Sequence, residues 1–183
     1  MRWGTRRQRA AYRALVASNV MRDLAAYHAL LVGTIPLDVD LPGSDLDLVC
    51  RAHDLEAFIT LARAQWGKLE SFAVGRGVFQ GLTTALVRFH ARGFPFEIFA
   101  QDRPVLQQWA VLHFIAERRL LDAAGPLARH RVRTLKARGL KTEPAFAAAF
   151  GLAGDPYRQL LEVGRLRPGH VARLACKGRL KSG

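Results

Sequence analysis

At 183 residues, half of them hydrophobic, the chain is long enough to bury a domain core and too apolar to stay disordered. No apolar run approaches the roughly 20 residues that span a bilayer, and the arginine-rich start lacks an apolar signal core, so neither a membrane helix nor secretion is expected. The net charge of +13 is concentrated beyond residue 117, where 15 basic residues face 4 acidic ones, which favours contact with a polyanion or, equally, an arginine-rich solvent face.

In chain order, residues 5–27 place Ala11, Leu15, Val20 and Leu24 at helical spacing between arginines, which predicts an amphipathic helix. The same arginine-rich, acid-free start also has the composition of an organelle transit peptide. "HALLVGTI" (28–35) predicts a short buried strand, and after a Pro- and Gly-containing loop a second strand is expected at 45–51. Asp38 and Asp40 in that loop are expected to solvate it or to cap a helix. "DLEAFITLARAQWG" predicts a helix capped by its aspartate and ended by Gly67. Three β-rich runs follow, "LESFAV", "TTALVRFHA" and "FPFEIFAQ", the last two joined by a tight turn at "RG". From Pro104 the pattern is helical, over 104–121, 125–138, 143–150 and 155–164, with Asp155 ahead of a proline at a first helical position. The order predicts an α+β protein with a mixed β-sheet flanked by helices and a helical C-terminal part. The expected division is a core over 1–103, a helical part over 104–165 and a basic tail over 166–183. Cys50 and Cys176 lack metal-ligand spacing and fit free thiols in a reducing, cytoplasmic compartment.

The acids carry the chemistry. Residues two apart in a strand share a face about 6.6 Å apart, so Asp45 and Asp47 converge on one small volume. Without a counter-charge such a pair is unfavourable; a hard cation such as Mg²⁺ or Mn²⁺ reverses the sign and keeps positions open for phosphates. Glu97, flanked by Phe96, Ile98 and Phe99, is an acid in an apolar strand and a candidate third ligand.

These residues resemble the DNA polymerase beta-like nucleotidyltransferase superfamily. Its pattern of a hydrophobic residue, Gly, Gly or Ser, a spacer and then Asp–hydrophobic–Asp/Glu is matched by Val32, Gly33 and Thr34, ten residues, and "DLDL" from Asp45, with "FEI" supplying the later acid. Thr34 stands where serine is usual and keeps the hydroxyl. The longer run "GTIPLDVDLPGSDLDLVC" with "FPFEIFAQ", "LKTEPAFA" and "GDPYRQLL" is similar to the bacterial domain-of-unknown-function 4269 family within that superfamily, over about residues 8–165. The resemblance implies a nucleotidyltransferase fold with Asp45, Asp47 and Glu97 as metal-binding and catalytic residues. It also implies that Gly33 lets the backbone approach a nucleoside triphosphate and that the Thr34 hydroxyl contacts it; Ser44, Arg76 and Arg88 are further candidate nucleotide contacts. The implied activity is Mg²⁺-dependent transfer of a nucleoside monophosphate to an acceptor that is RNA, protein or a small molecule. The alternative is a non-catalytic nucleotide- or RNA-binding protein on the same fold. The basic C-terminal third is the candidate RNA or polyanion surface, and no membrane partner is expected.

Other motifs carry less. "VGRGVFQG" (74–81) approximates a phosphate-binding glycine loop but opens no helix, so a flexible turn is expected. His113 and Glu117 lie at i and i+4 and are expected to make a structural hydrogen bond or ion pair. Arg88 and His90 alternate on a strand, and whether they share the face of Glu97 is left open by the spacing. Trp3, Trp66 and Trp109 are expected to anchor packing.

Overall fold

A computed structural model describes residues 1–180, with side chains to Cys176. It divides into two compact units, one formed by Met1–Pro36 with Gly43–Gln108, the other by Leu37–Pro42 with the chain from Trp109 onward.

In the first unit, α1 (Arg6–Ser18) opens with a capping box in which Thr5 Oγ1 accepts from Gln8 N and Gln8 Oε1 accepts from Thr5 N. The Gln8 amide also donates to Ile35 O and Pro36 O, both at 3.0 Å. The single helix expected over 5–27 is interrupted at Asn19, which takes φ 56°, and resumes as the one-turn α2 (Val20–Asp23). β1 (Leu30–Val32) leads through Gly33 into the short α3 (Thr34–Leu37), and β2 (Leu46–Arg51) precedes α4 (Leu55–Trp66). Asp54 caps α4 by accepting from Glu56 N and Ala57 N.

β3 (Glu70–Phe79), β4 (Leu82–Ala91) and β5 (Phe94–Gln101) form a meander. Both of its turns, Gln80–Gly81 and Arg92–Gly93, have two successive positive φ values, as two-residue hairpins favour. The glycine-rich stretch expected as a flexible turn therefore belongs to β3, up to the tip at Gln80 and Gly81.

The five strands lie in the order β1-β2-β5-β4-β3, with β2 and β5 parallel and the other pairs antiparallel. One face is the core, where Leu46, Leu48 and Cys50, then Phe96, Ile98 and Ala100, then Ala85, Val87 and Phe89 pack with Leu15 of α1 and with Phe58, Ala62 and Trp66 of α4. Trp66, Phe89 and Phe96 stack in series, with centroids 5.3 and 4.9 Å apart. Burial pushes the Cys50 thiol up to about 12, which leaves it an inert packing group. Trp3, expected to anchor packing, is instead 86% exposed, with the Arg2 guanidinium over its ring.

The second unit gathers α5 (Trp109–Ala124), α6 (Pro126–Ala137), α7 (Thr142–Phe150), α8 (Pro156–Arg165) and α9 (Pro168–Leu180). Leu120, Leu121, Phe146, Phe150 and Leu160 form its core together with Leu37 and Val39 of the segment 37–42. The stretch expected as a basic tail holds α9, with Val171 and Ala175 buried.

Segment 37–42 explains much of the basic charge of α6. Arg129, Arg133 and Lys136, one face of that helix, donate to the carbonyls of Leu37 (3.2 Å), Asp38 (2.7 Å) and Val39 (3.1 Å) in turn. Arg133 also pairs with the Asp38 carboxylate at 3.2 Å, so Asp38 is an internal ion-pair partner and not the solvating or capping residue expected. Arg119 closes the end of α8 by donating to Val163 O, Gly164 O and Leu166 O.

Candidate functional site

The face of the sheet opposite the core carries the acids. Along β2, Leu46 and Leu48 point into the core and Asp47 to the other side, with Asp45 immediately before the strand. Asp47 stands opposite Val32 of β1 and opposite Glu97 of β5, and Glu97 in turn stands opposite Arg88 of β4. Asp45, Asp47 and Glu97, each half-buried, offer carboxylate oxygens that all lie within 4.8 Å of one another, the one such group of three among the described residues. Three anionic oxygen donors at that separation, open on the solvent side, suit a hard divalent cation. Arg88 Nε donates to Glu97 Oε2 at 2.6 Å and occupies one side of that carboxylate.

Gly33 is positioned by the same geometry. It takes φ +79°, and a Cβ built on it would lie 1.9 Å from Asp47 Oδ2. The first group a side chain here would meet is thus a site carboxylate, which is how this glycine shapes the acid cluster. Thr34 follows as the first residue of α3. The carbonyl of Ser44 accepts from Arg7 Nη2 at 3.4 Å, and the Arg7 guanidinium lies over the Phe94 ring, 4.2 Å from its centroid. Arg7 gives no signal in the sequence beyond one more arginine in a basic helix.

The two arginines expected as nucleotide contacts lie on opposite faces. Arg88 shares the face of Glu97. Arg76 stands opposite Ala85, on the core-side face, where it pairs with Glu56 of α4, so it is not brought to the acids. His90 lies on the Glu97 face one strand step beyond Arg88, with Nδ1 3.7 Å from the Glu70 carboxylate.

In the helical unit, His113 and Glu117 are both buried, yet the hydrogen bonds of His113 go elsewhere. His113 Nε2 lies 2.9 Å from Tyr157 O, and a carbonyl only accepts, so Nε2 carries the proton. Nδ1, 3.5 Å from Glu143 Oε1, can then donate only as imidazolium. Burial raises the Glu143 carboxyl, but the hydrogen bond to His113, the hydrogen bond to its own backbone and the charges of His113 and Lys141 together hold the group below its ordinary value.

Glu117 is pushed well above its ordinary 4.5 by burial and by the Glu143 charge, against a smaller opposing effect of Lys136. An acid raised in the folded state binds more protons folded than unfolded, so its contribution is fully present below 4.5 and lost as pH rises towards the folded value. Glu117→Gln is therefore expected to melt like wild type at acid pH and above it at pH 8. Thermal melts across that range check this, and a gap that does not widen with pH contradicts it.

A family profile described as "Domain of unknown function (DUF4269)" matches residues 13–163. No curated protein sequence matches the chain. Among solved structures, the polymerase core of TRAMP, an RNA surveillance complex, aligns with a TM-score of 0.54 at 16% identity, covering 88% of this chain and 57% of that one. The Cid1 poly(U) polymerase with bound MgGTP aligns with a TM-score of 0.52 at 12% identity, covering 86% and 49%. A cytoplasmic RNA terminal U-transferase aligns with a TM-score of 0.51 at 12% identity, covering 86% and 46%. The chain spans about half the length of the structures it matches. The fold, a mixed sheet flanked by helices and followed by further helices, is that of the polymerase beta-like nucleotidyltransferases. Among the described residues no helix is long and apolar enough to cross a membrane.

Proposed function

The chain belongs to the DUF4269 family, and from that premise we propose that it is a nucleotidyltransferase that moves a nucleoside monophosphate from a triphosphate to an acceptor hydroxyl. The observation that carries this reading is the convergence of the Asp45, Asp47 and Glu97 oxygens within 4.8 Å on an open sheet face. Their donor set fits Mg²⁺ or Mn²⁺, with Asp45 and Asp47 as principal ligands. When bound, such an ion neutralises triphosphate charge and makes the acceptor hydroxyl more acidic.

The protein's own groups then position the reactants. Gly33 and Thr34 offer backbone and hydroxyl contacts to phosphates beside Asp47, and Ser44 is held next to Asp45 by Arg7. The acceptor oxygen forms its bond to the α-phosphorus as the bond to the β-phosphate oxygen breaks, and pyrophosphate leaves. Glu97 stands on the acceptor side, where a carboxylate takes the hydroxyl proton. Arg88 is the cation for a phosphate oxygen there, while Arg76, paired with Glu56 on the other face, has no part in this reading. Any polyanion contact by the C-terminal third falls to basic residues other than Arg119, Arg129, Arg133 and Lys136, whose donors serve carbonyls.

One observation favours the non-catalytic alternative, a nucleotide- or RNA-binding protein on this fold: Glu97, the third acid, is engaged in an ion pair with Arg88. Calorimetric titration with ATP, GTP, CTP and UTP, with and without Mg²⁺, separates the two. Metal-dependent binding supports the transferase reading. Binding indifferent to Mg²⁺ supports the alternative, and no binding to any of the four overturns the triphosphate site.

A further inference from the structure

Gly75 poses a question the metal site does not answer. A glycine inside a strand weakens it, because it adds backbone entropy to the unfolded chain and offers nothing to pack. Two usual reasons for one are missing here. Gly75 is not among the positive-φ glycines, and among the described residues, its own chain neighbours aside, nothing lies within 4 Å of where its Cβ would be. Neither the backbone nor a neighbour demands glycine, so what the position preserves is empty space above the sheet.

The register shows where that space is. Gly75 stands opposite Leu86, and Leu86 opposite Phe99, on the same face as the acids. The adjacent row reads Ala73, Arg88, Glu97, Asp47 across the sheet, about 7 Å away along the strands. Gly77, next along β3, has a different purpose. A Cβ there would come within 2.8 Å of the Phe79 ring, so its absence lets that ring lean back and meet Phe99 edge-on, with centroids 5.0 Å apart at 71°. The result is a strip floored by Gly75, Leu86 and Phe99 and rimmed by Phe79. Gly75 is exposed, Phe79 is 43% exposed, and Leu86 and Phe99 are half-buried.

We infer that this strip seats the terminal base of a single-stranded nucleic-acid acceptor, whose sugar hydroxyl then lies towards Glu97. The destination of that hydroxyl rests on the transferase reading above; binding of the strand does not. A flat apolar floor beside aromatic edges suits a base, since every base presents a π-face. The Arg88 guanidinium in the next row, exposed and paired with Glu97, suits a phosphate of that strand. A polypeptide acceptor would be held differently, adding to the free edge of β3 through main-chain hydrogen bonds, which asks nothing of the face above Gly75.

The test uses the whole protein with a fluorescently labelled single-stranded RNA oligonucleotide in EDTA, without triphosphate, read by anisotropy at two salt concentrations. Gly75→Val fills the strip where there is room for a side chain and suits a strand, so it should melt at or above wild type. Phe99→Ala removes the floor instead. Each is expected to weaken RNA binding about tenfold, within the range of lost base stacking. The salt dependence should stay unchanged because no charge is altered, and calorimetric Mg²⁺–triphosphate binding should be unaffected. Equal RNA affinity in wild type and Gly75→Val overturns the inference, as does a wild-type protein that does not bind RNA or that transfers labelled nucleotide to a polypeptide. Loss of RNA binding in both variants, in a protein that binds no triphosphate, keeps the strip and discards the transferase reading.

Discussion

Asp47→Asn is expected to abolish Mg²⁺-dependent triphosphate binding and any nucleotidyl transfer while leaving the fold intact. Asparagine has nearly the same shape, so the β2 register with Val32 and Glu97 has no steric reason to change. What changes is chemistry: one anionic oxygen donor of three becomes a neutral amide in a site whose oxygens lie within 4.8 Å of one another. Metal-assisted charge neutralisation is worth several kcal/mol, so transfer should fall by about 10³-fold or more. In metal-free buffer the same change relieves repulsion between carboxylates, so the melting temperature should stay level or rise. Calorimetry with and without Mg²⁺, with a melt of each protein in EDTA, reads both effects. Mg²⁺-dependent binding that survives in Asp47→Asn at wild-type strength would show that the cation sits elsewhere.

Gly33→Ala should reach a similar loss by another route. The residue takes φ +79°, which costs an L-amino acid about 1–3 kcal/mol unless the backbone shifts. Its new methyl would lie 1.9 Å from Asp47 Oδ2 and 2.8 Å from Asp47 Cγ, so the carboxylate must leave its place. Metal-dependent binding is lost together with stability, whereas Asp47→Asn loses binding alone. A double-mutant cycle with Asp47→Ala isolates the cause, because removing the carboxylate removes the two closest contacts and leaves the backbone strain with one tight approach, 3.1 Å, to the Asp47 Cβ position. Gly33→Ala should then destabilise less in the Asp47→Ala background than in wild type. Equal destabilisation in both would mean that Gly33 serves only its turn.

Much of this site is legible in the order of the residues alone. Strict alternation in "DLDLVC" puts Asp45 and Asp47 on the face opposite Leu46 and Leu48, and the isolated Glu97 in an apolar run announces a third acid. The capping aspartates Asp54 and Asp155 mark the starts of α4 and α8. "VGRGVFQG" misleads because Gly75 and Gly77 have the composition of a turn, whereas pairing with β4 holds them extended and leaves Gly81 alone among its glycines in the turn. The count of basic residues points to a polyanion surface, yet Arg119, Arg129, Arg133 and Lys136 satisfy carbonyls within the helical unit. A charge total cannot separate donors needed inside from donors facing water.

The order of residues alone indicates which side chains share a face within each strand, where helices such as α4 and α8 start, and which three acids and glycine–hydroxyl pair are candidates for one site. Tertiary structure alone decided that Asp47 and Glu97 stand side by side, because a period of two says nothing about which strand comes next. The parallel pairing of β2 with β5 settles that, across a crossover through α4, β3 and β4. It also decided that Arg88 faces the acids and Arg76 does not, since the shared face of residues on different strands follows from register, and register is set by the packing of the core face.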